Sequence, residues 1–308
     1  MLDVRRMRVL REVAVRGSFS AAAEALSFTQ SAVSQQVAAL ERETGARLVE
    51  RSPRGVRLTE AGGALVSHAE AILARIEDAE EELAALAGLR GGRLRLASFQ
   101  SAGATLVPRA VAAFRERHPG VELAMVEAEP DEASARLRSG QIDVALVYDY
   151  DGVSGMLGAE LELTQLIDDP YEVILRRDHE LASHPSLGLA DLADEPWVAA
   201  TASCGCRRIT ERACQDAGFE PRVTFEADET MAAQAFVAAG LGVSLLPRLA
   251  LTTLHPDVCA RSLAPRAPLR RIFAARPRDG YHSPASEAMV GLLREVASDF
   301  QEAGLAAA

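Results

Sequence analysis

Apolar positions recur with a helical period through the opening of the chain and predict three short helices. Met7, Leu10 and Val13 follow one another at helical spacing in the first. A second helix is predicted over residues 19–26 and a third over residues 30–44. Each of the last two begins after a hydroxyl residue that can cap it, and a glycine follows the third.

The third helix sorts its residues by face. Val33, Val37 and Leu40 share the side that we expect to pack inward. The opposite side and the first turn carry small and polar residues, which are Thr29, Gln30, Ser31, Ser34 and Gln35. Glutamine can bond in pairs to adenine, serine can bond to several base edges, and small side chains allow close approach in the major groove. We therefore predict that these polar residues contact DNA.

An arginine-rich hairpin is predicted next to this helix. Residues 48–49 and 56–58 form two short strand patterns on either side of a turn that contains a proline and a glycine. The arginines expected to reach DNA from this hairpin are Arg51, Arg54 and Arg57. Beside a recognition helix such a hairpin forms a wing, which can contact the DNA backbone or the minor groove.

A long amphipathic helix follows, with Thr59 as its predicted cap. Its apolar residues alternate at steps of four and three, and they are Leu65, Ala69, Ile72, Ile76, Ala79, Leu83 and Leu86. An unbroken heptad seam of this kind predicts that two copies of the chain pair through the helix. Gly91 and Gly92 then mark a joint.

From Arg93 onward predicted strands and helices alternate, which calls for parallel sheets covered by helices. The chain runs through one such set, then through a second, and returns to the first with a strand and a last helix. The predicted fold is multidomain, with an all-α winged helix-turn-helix head at 1–58, a linker helix at 59–90 and an α/β two-lobed body at 91–308. Lobe I comprises residues 91–163 and 267–308, and lobe II comprises residues 164–266.

Polar residues collect at the carboxyl ends of the predicted strands, where open parallel sheets bind ligands. They are Ser98, Gln100, Ser101, Glu127, Tyr148, Asp149, Thr201, Ser203 and Asp228. Two of these ends, 98–101 and 201–203, precede helix N-termini from opposite lobes and can hold a carboxylate or a phosphate. The aspartates could instead receive an amine or cap their own helices. We predict that a small-molecule effector binds in this cleft.

The net charge of −11 is unevenly distributed along the chain. Residues 1–60 carry ten arginines against seven acidic residues, whereas the rest of the chain is acidic. A small basic head on an acidic body is expected if only the head touches phosphate. No apolar run reaches the roughly 18 residues of a membrane helix, and the N-terminus lacks the apolar region of a secretory signal. We expect a cytoplasmic, nucleoid-associated protein without membrane contacts.

Three segments of the head resemble the signature of LysR-type transcription regulators. They are Gly17-Ser18-Phe19-Ser20-Ala21-Ala22-Ala23, then residues 30–41 from Gln30-Ser31-Ala32-Val33 to Leu40-Glu41, and then Glu50-Arg51 with Gly55-Val56-Arg57-Leu58-Thr59-Glu60-Ala61-Gly62. The resemblance covers the head without a gap, and the body fits the family's layout. Ser31, Gln35 and Val49 stand where the family often has proline, arginine and phenylalanine.

The resemblance implies a homodimer that pairs through the linker helix and binds an interrupted palindrome in double-stranded DNA. It further implies a homotetramer and a periplasmic-binding-protein-like effector domain, and RNA polymerase is another expected partner. It implies transcription regulation rather than enzymatic activity, and no cofactor besides the small-molecule effector.

Two alternative functions stay open. Cys204, Cys206 and Cys214 lie close together in the sequence, and the family includes a peroxide sensor that rearranges two cysteines in this lobe, so a thiol-based redox regulator is one. The other is a ligand-binding protein or an enzyme on a periplasmic-binding-like fold. The chain lacks Gly-x-Ser-x-Gly, His-Glu-x-x-His and P-loop motifs and contains no lysine, which argues against catalysis. Its cysteines and histidines lack zinc-ligand spacing, so no metal is expected.

Overall fold

The computed structural model describes residues 2–52, 55–86, 92–150, 157–202, 204–279 and 281–306. The chain opens with three helices, α1 (Val4–Arg16), α2 (Phe19–Ala25) and α3 (Gln30–Thr44). They are followed by an antiparallel hairpin of β1 (Val49–Ser52) and β2 (Gly55–Leu58). These elements confirm the predicted winged helix-turn-helix.

Short polar side chains fix where these helices begin. The carboxylate of Asp3 accepts hydrogen bonds from the backbone at the start of α1. The hydroxyl of Ser18 accepts from the Ala21 N–H, and that of Thr29 accepts from the Ala32 N–H at 3.2 Å. Each bond satisfies a backbone donor that has no partner within its helix. The three predicted helices therefore have defined starts that the sequence encodes locally.

The first part of helix α4 (Glu60–Leu86) packs in the core of the head. The predicted seam is therefore divided into a part that faces this core and a part beyond it. Leu65 and Ala69 are buried in the core of the head, in one cluster with residues of α1 such as Leu10. Ile72, Ile76 and Leu83 are exposed in the single chain. The first part of the seam thus anchors the helix to its own head, and only the later part is available to another molecule.

The body starts with β3 (Gly92–Ser98), α5 (Gln100–Gly103), α6 (Leu106–Arg117), β4 (Val121–Glu127), α7 (Pro130–Arg138) and β5 (Val144–Tyr150). A long strand, β6 (Leu161–Arg176), leads away, followed by β7 (Ser186–Leu187), β8 (Pro196–Ala199), α8 (Gly205–Asp216), β9 (Arg222–Glu226), α9 (Thr230–Ala238), β10 (Ser244–Pro247) and β11 (Val258–Leu263). The chain returns through β12 (Leu269–Pro277) and ends in α10 (Pro284–Ala306). Short 3₁₀ turns lie at Glu180–Ser183, Leu189–Leu192 and Arg248–Leu251.

The main sheet is mixed, whereas the alternation of elements predicted parallel sheets. Its order is β4-β3-β5-β12-β6-β11-β7, with β10 also paired to β6. The first three strands are parallel, but β12 is antiparallel to both β5 and β6. The reason is topological, because β6 carries the chain out of the first half and β12 carries it back in the opposite direction. The first part of β6 and all of β11 are strands that the sequence pattern did not predict.

These two long strands connect the halves of the body. β6 pairs with β12 in its first part and with β10 and β11 in its second part. A separate parallel pair, β8 with β9, lies beside β10, and Trp197 of β8 forms a bridge with Val243, the residue before β10. The carboxyl ends of β3, β5 and β8 and the start of β12 consequently meet around one space between the halves.

Candidate DNA-binding and effector sites

The predicted DNA-contacting residues of α3 lie on its outward face. Thr29, Gln30, Ser31 and Gln35 are exposed, and Ser34 is half-buried. Val33, Val37 and Leu40 are fully buried on the opposite side of the same helix. The hydroxyls of Thr29 and Ser31 are 3.0 Å apart, so the first turn presents a small cluster of polar groups. Burial of one face holds the other in a fixed orientation toward solvent.

The hairpin is held beside α3 by contacts that leave little freedom. Glu41 of α3 accepts a hydrogen bond from the Leu48 N–H at 2.9 Å, and the Val56 N–H donates to the Gly17 carbonyl at 2.8 Å. Gly55 has a φ of 126°, and a Cβ there would lie 2.8 Å from that same carbonyl oxygen. The glycine is therefore required by the close approach of the wing to the turn between α1 and α2.

The wing arginines are described to different extents. Arg57 lies on β2 and is exposed. Arg51 lies on β1, but its side chain falls outside the described residues, as does the whole of Arg54. Of the three predicted wing arginines, Arg57 is the one whose side chain lies within the described residues.

A cavity of about 270 Å³ opens between the two halves of the body. Four of the predicted effector residues line it: Gln100, Ser101, Tyr148 and Asp228. Its polar lining also includes residues that the sequence pattern did not single out for a ligand, among them Glu129, Cys204, Cys206 and Arg270. Apolar residues such as Phe99, Leu246 and Pro247 complete the wall. Such a mixture of apolar walls with a few polar groups is typical of a small-molecule site.

Four other predicted effector residues are not among those that line the cavity. Ser98 is buried at the end of β3, and its hydroxyl donates to the Phe99 carbonyl at 3.1 Å. Glu127 is exposed at the end of β4, and Asp149 accepts from the Tyr150 N–H at 2.8 Å. Thr201 donates through its N–H and its hydroxyl to Asp228, at 2.8 and 3.0 Å. Ser203 lies outside the described residues.

Arg270 forms the floor of the cavity. Its Nε donates to Asp169 at 2.7 Å and its Nη2 donates to the hydroxyl of Ser101 at 2.6 Å. The guanidinium also lies 5.0 Å from the ring centre of Phe99 and 5.2 Å from that of Tyr148. Both charges of the ion pair are buried, so the pair must compensate their loss of hydration. Arg270 is far from Ser101 in the sequence, and only the antiparallel return of β12 brings the two together.

Glu129 connects this floor to the mouth of the cavity. The hydroxyl of Tyr148 donates to its Oε2 at 2.5 Å. Burial raises the pKa of Glu129, and the bond from Tyr148 only partly opposes that effect. Across the cavity, Gln100 of the first half donates to Glu229 of the second half, at the N-terminus of α9.

Cys206 lies in the first turn of α8 at the edge of the same cavity. The hydroxyl of Tyr150 lies 3.5 Å from its sulfur, and the hydroxyl of Tyr171 donates to that of Tyr150 at 3.4 Å. A hydrogen bond from Cys204, together with the charge of Arg270, lowers the pKa of the Cys206 thiol. Burial, with a smaller contribution from Glu211, raises the pKa of Cys214 to about 12. The thiols are all free.

Comparison with known proteins identifies the two parts of the chain. Residues 4–63 match the bacterial regulatory helix-turn-helix protein, lysR family, and residues 87–298 match the LysR substrate binding domain. The chain belongs to the LysR family of transcriptional regulators. This LysR-type regulator thus combines a DNA-binding helix-turn-helix with an effector-binding domain, and the families it matches are those of regulators rather than enzymes.

Individual relatives agree with this assignment over nearly the whole chain. The probable HTH-type transcriptional regulator LrrA of Synechococcus elongatus is 32% identical over 304 residues, which are 98% of this chain and 100% of that protein. A full-length OxyR variant from Pseudomonas aeruginosa superimposes with a TM-score of 0.74 at 24% identity, covering 96% and 95% of the two chains. CbnR in complex with its target DNA gives 0.70 at 23% identity, covering 96% and 100%. These two structures share the fold, with the head followed by the two-lobed α/β body.

Two further observations concern only the part of the chain that the structure describes. No helix there is both long and apolar enough to cross a membrane. Histidine, cysteine, aspartate and glutamate side chains form no group of three or more in that part that could hold a metal ion.

Proposed function

We propose that this LysR-type regulator reads its operator with the exposed face of α3. Gln30, Ser31, Ser34 and Gln35 contact base edges, and Thr29 and the N-terminus of α3 lie near a phosphate. Arg57, together with the predicted wing residues Arg51 and Arg54, contacts the backbone or the minor groove. The observation that carries the proposal is the outward orientation of Gln30, Ser31 and Gln35 opposite a fully buried apolar face. The hydroxyl of Ser31 and the amide of Gln35 set the base preference where family members often have proline and arginine.

The exposed part of α4 supports pairing of two chains. Ile72, Ile76 and Leu83 lie in a stripe that remains open to solvent in the single chain. A second copy covers this stripe in the proposed homodimer, which presents two α3 helices to an interrupted palindrome. Two such dimers pair into a tetramer, and RNA polymerase is the further partner in transcription. The proposed division is a head at 1–58, a linker helix at 59–90 and an effector domain at 91–308, in a protein of the cytoplasm and nucleoid.

The effector binds in the cavity between the halves of the body. Gln100, Ser101, Tyr148 and Asp228 contact it there, together with Glu129 and Arg270. Ser98, Glu127, Asp149 and Thr201 act around this site by shaping the strand ends, and Ser203, predicted with them to bind the effector, lies outside the described residues. Occupation of the cavity changes the bridge between Gln100 and Glu229 and therefore the packing of one half on the other. The altered packing changes the angle between DNA-bound heads and with it the bend of the DNA.

A footprint on the DNA upstream of the regulator's own gene and of its divergent neighbour tests the proposal. The wild type is compared at fixed salt with a Gln30→Ala/Ser34→Ala double variant. Gln215→Ala, an exposed change on the body, is the matched control. We expect the wild type and the control to protect an interrupted palindrome and the double variant to lose that protection. A wild-type protein that enriches no sequence in a genome-wide DNA pull-down would overturn the proposal.

Thiol-based control is a second candidate, because Cys206 sits in the effector cavity beside Arg270 and the hydroxyl of Tyr150. Because the pKa of Cys206 is lowered, its thiol stays ionised at pH values where an ordinary thiol is protonated. The thiolate is protonated only when the pH falls below this lowered pKa. Alkylation by iodoacetamide, mapped by mass spectrometry, should therefore stay fast at Cys206 through neutral pH. Cys214, with a pKa of about 12, is the internal control and should react slowly. Equal rates at both cysteines would rule this candidate out.

A further inference from the structure

The linker helix is docked on the body at a second place, away from the head. A Cβ added at Gly140, where φ is +69°, would lie 2.3 Å from the Cβ of Ala74. The backbone of the turn after α7 therefore packs directly against the Ala74 side chain of α4. Ala74 is 6% exposed as a result. Gln141 donates to Glu70 at 2.8 Å on the adjoining turn of α4. These contacts fix α4 against residues 140–141, and we call them the docking contact.

A strand of the body, β12, also ends at this helix. Arg75 of α4 donates through Nη2 to the Asp279 carbonyl at 2.9 Å, just beyond the end of β12. A cavity of about 470 Å³ lies alongside, lined by residues of both α4 and the body. Because one side of the docking contact is not filled by side chains, the helix has room to shift without compressing a packed core.

The turn that carries Gly140 is tied rigidly to the sheet. The backbone N–H of Arg95 on β3 donates to Asp143 at 2.7 Å, and its guanidinium forms a two-point ion pair with the same carboxylate, at 3.2 and 2.7 Å. Two-point pairs of this kind fix orientation as well as distance. Displacement of the sheet or of α7 is therefore transmitted to Gly140 rather than absorbed in a loose loop.

Helix α7 joins the docking contact to the effector cavity. Glu129, which lines the cavity, is the residue directly before α7, and Gly140 follows shortly after its end. Nine residues of helix span about 14 Å. Tyr148 holds the cavity end through its bond to Glu129, at 2.5 Å. A group that displaces Glu129 acts on the N-terminal end of α7. Gly140, just beyond the other end of α7, contacts Ala74.

Strand β12 makes a parallel connection. Arg270 lies near its start, in the floor of the cavity, and Asp279 follows its end at α4. The strand covers about 23 Å between Arg270 and Pro277. Ala133 and Leu137 of α7 pack in one core cluster with Ala275 of β12, so the two elements move together. The unit formed by α7 and β12 thus reaches the effector cavity at one end and the linker helix at the other.

We propose that Ala74, Arg75 and Gly140 are positioning residues that couple the effector cavity to the DNA-binding head through α7 and β12. The proposal rests on the proposed function of the cavity as the effector site. A ligand that contacts Glu129 or Arg270 shifts α7 and β12, and the docking contact transmits that shift to α4. Because Leu65 and Ala69 anchor α4 in the core of the head, the head moves with the helix. By reciprocity, displacement of α4 must also alter the cavity.

Hydrogen–deuterium exchange of the full-length protein tests this coupling without DNA or ligand. Ala74→Leu forces a larger side chain against Gly140, and Ala64→Leu, an exposed change earlier on α4, is its control. We expect Ala74→Leu to raise exchange about threefold at residues 139–143 and also at the cavity, residues 127–131. Ala64→Leu should leave both segments unchanged. Size-exclusion chromatography and Trp197 fluorescence verify that assembly and folding are retained, and Gln141→Ala is the milder variant if they are not.

The reverse experiment starts at the cavity. Glu129→Ala removes the acceptor of the Tyr148 bond, and Glu122→Ala, a change of the same type at an exposed site on β4 outside the cavity lining, is its control. Exchange should rise at residues 70–79 of α4 in Glu129→Ala and stay at the wild-type level in Glu122→Ala. A Glu129→Ala protein whose exchange changes only around the cavity would overturn the coupling. If the coupling is present but no ligand ever protects the cavity, the proposed effector site fails and the coupling stands.

Discussion

The two sites of this regulator are built in opposite ways. The proposed DNA-binding face comes from one helix and its cap, residues 29–35, and from a hairpin that follows this helix. The proposed effector cavity is assembled from Gln100, Tyr148, Cys206 and Arg270, which come from distant parts of the chain. The head places its polar residues outward and exposed, whereas the body buries an arginine and its partner carboxylate.

The difference determines what each site can tolerate. In the head, exposed residues such as Gln30 and Gln35 can change without disturbing the fold, because the fold depends on the buried side of α3 and on its caps. In the body, the residues that line the cavity also hold the two halves together, since Arg270 bonds to Asp169 and to Ser101. A substitution on the exposed face of α3 can therefore alter that surface and keep the fold, whereas a substitution in the cavity also acts on a buried ionic network.

The largest effect on stability is expected when the buried ion pair between Asp169 and Arg270 is broken. Asp169→Ala leaves Arg270 charged and without its carboxylate, and it also removes the acceptor of the Leu249 N–H at 2.9 Å. We expect the free energy of unfolding of the body to fall by about 3–5 kcal/mol. The single tryptophan, Trp197, is buried in the body, so its fluorescence during urea denaturation measures the loss.

The neighbouring aspartate provides the control for this variant. Asp168 is exposed, and Asp168→Ala should change the free energy of unfolding by less than about 0.5 kcal/mol. If Asp169→Ala were as mild as Asp168→Ala, the body would not depend on the pair, and the contrast with the head would be lost.

A core change in the head is expected to be nearly as large but confined to the head. Leu40 is fully buried on α3, and Leu40→Ala should lower the free energy of unfolding of the head by about 2–5 kcal/mol. Circular dichroism should show an earlier loss of helix, while the Trp197 fluorescence transition stays in place. Val15→Ala, at a position that is 69% exposed, is the control. A joint shift of both transitions would show that head and body unfold as one unit.

The same contrast explains what could be predicted from the sequence. The face of α3, its caps and the wing follow from short-range periodicity and turn residues, and the structure has each of them. In the body, most strands and helices were predicted, and so was the edge of the sheet where the cavity lies. Gln100, Ser101, Tyr148 and Asp228 were found this way because they directly follow or end strands.

The residues that were missed depend on pairing between distant strands. Arg270 lies on β12, and no local pattern indicates that this strand returns antiparallel beside β5. Glu129 was passed over in favour of Glu127, because the strand end alone does not say which carboxylate turns toward the cavity. Likewise, the heptad seam of α4 gave no sign that Leu65 and Ala69 are used by the chain's own head. In each case a tertiary contact decides between residues that are equivalent in the sequence.

A smaller effect tests whether the Thr29 hydroxyl caps α3 or contacts DNA. Its hydroxyl accepts from the Ala32 N–H at 3.2 Å and so caps α3. Thr29→Ala should therefore lower the free energy of unfolding of the head by about 1 kcal/mol, and Thr29→Ser should restore it. Thermal unfolding followed by circular dichroism measures both. Unchanged stability in Thr29→Ala, combined with weaker operator binding, would assign the hydroxyl to DNA instead of the cap.

The smallest expected effect concerns the wing. Arg57 is exposed on β2, and a contact with one phosphate contributes about 0.9 to the slope of log affinity against log salt. Arg57→Ala should reduce that slope by this amount and weaken binding to operator and to unrelated DNA alike, as fluorescence anisotropy across a salt series would show. Arg115→Ala, an exposed change on α6 of the body, should leave the slope unaltered. An Arg57→Ala protein with an unchanged slope but a different base preference would place this arginine in a groove, reading sequence. In that case the head would read bases from two elements rather than from α3 alone.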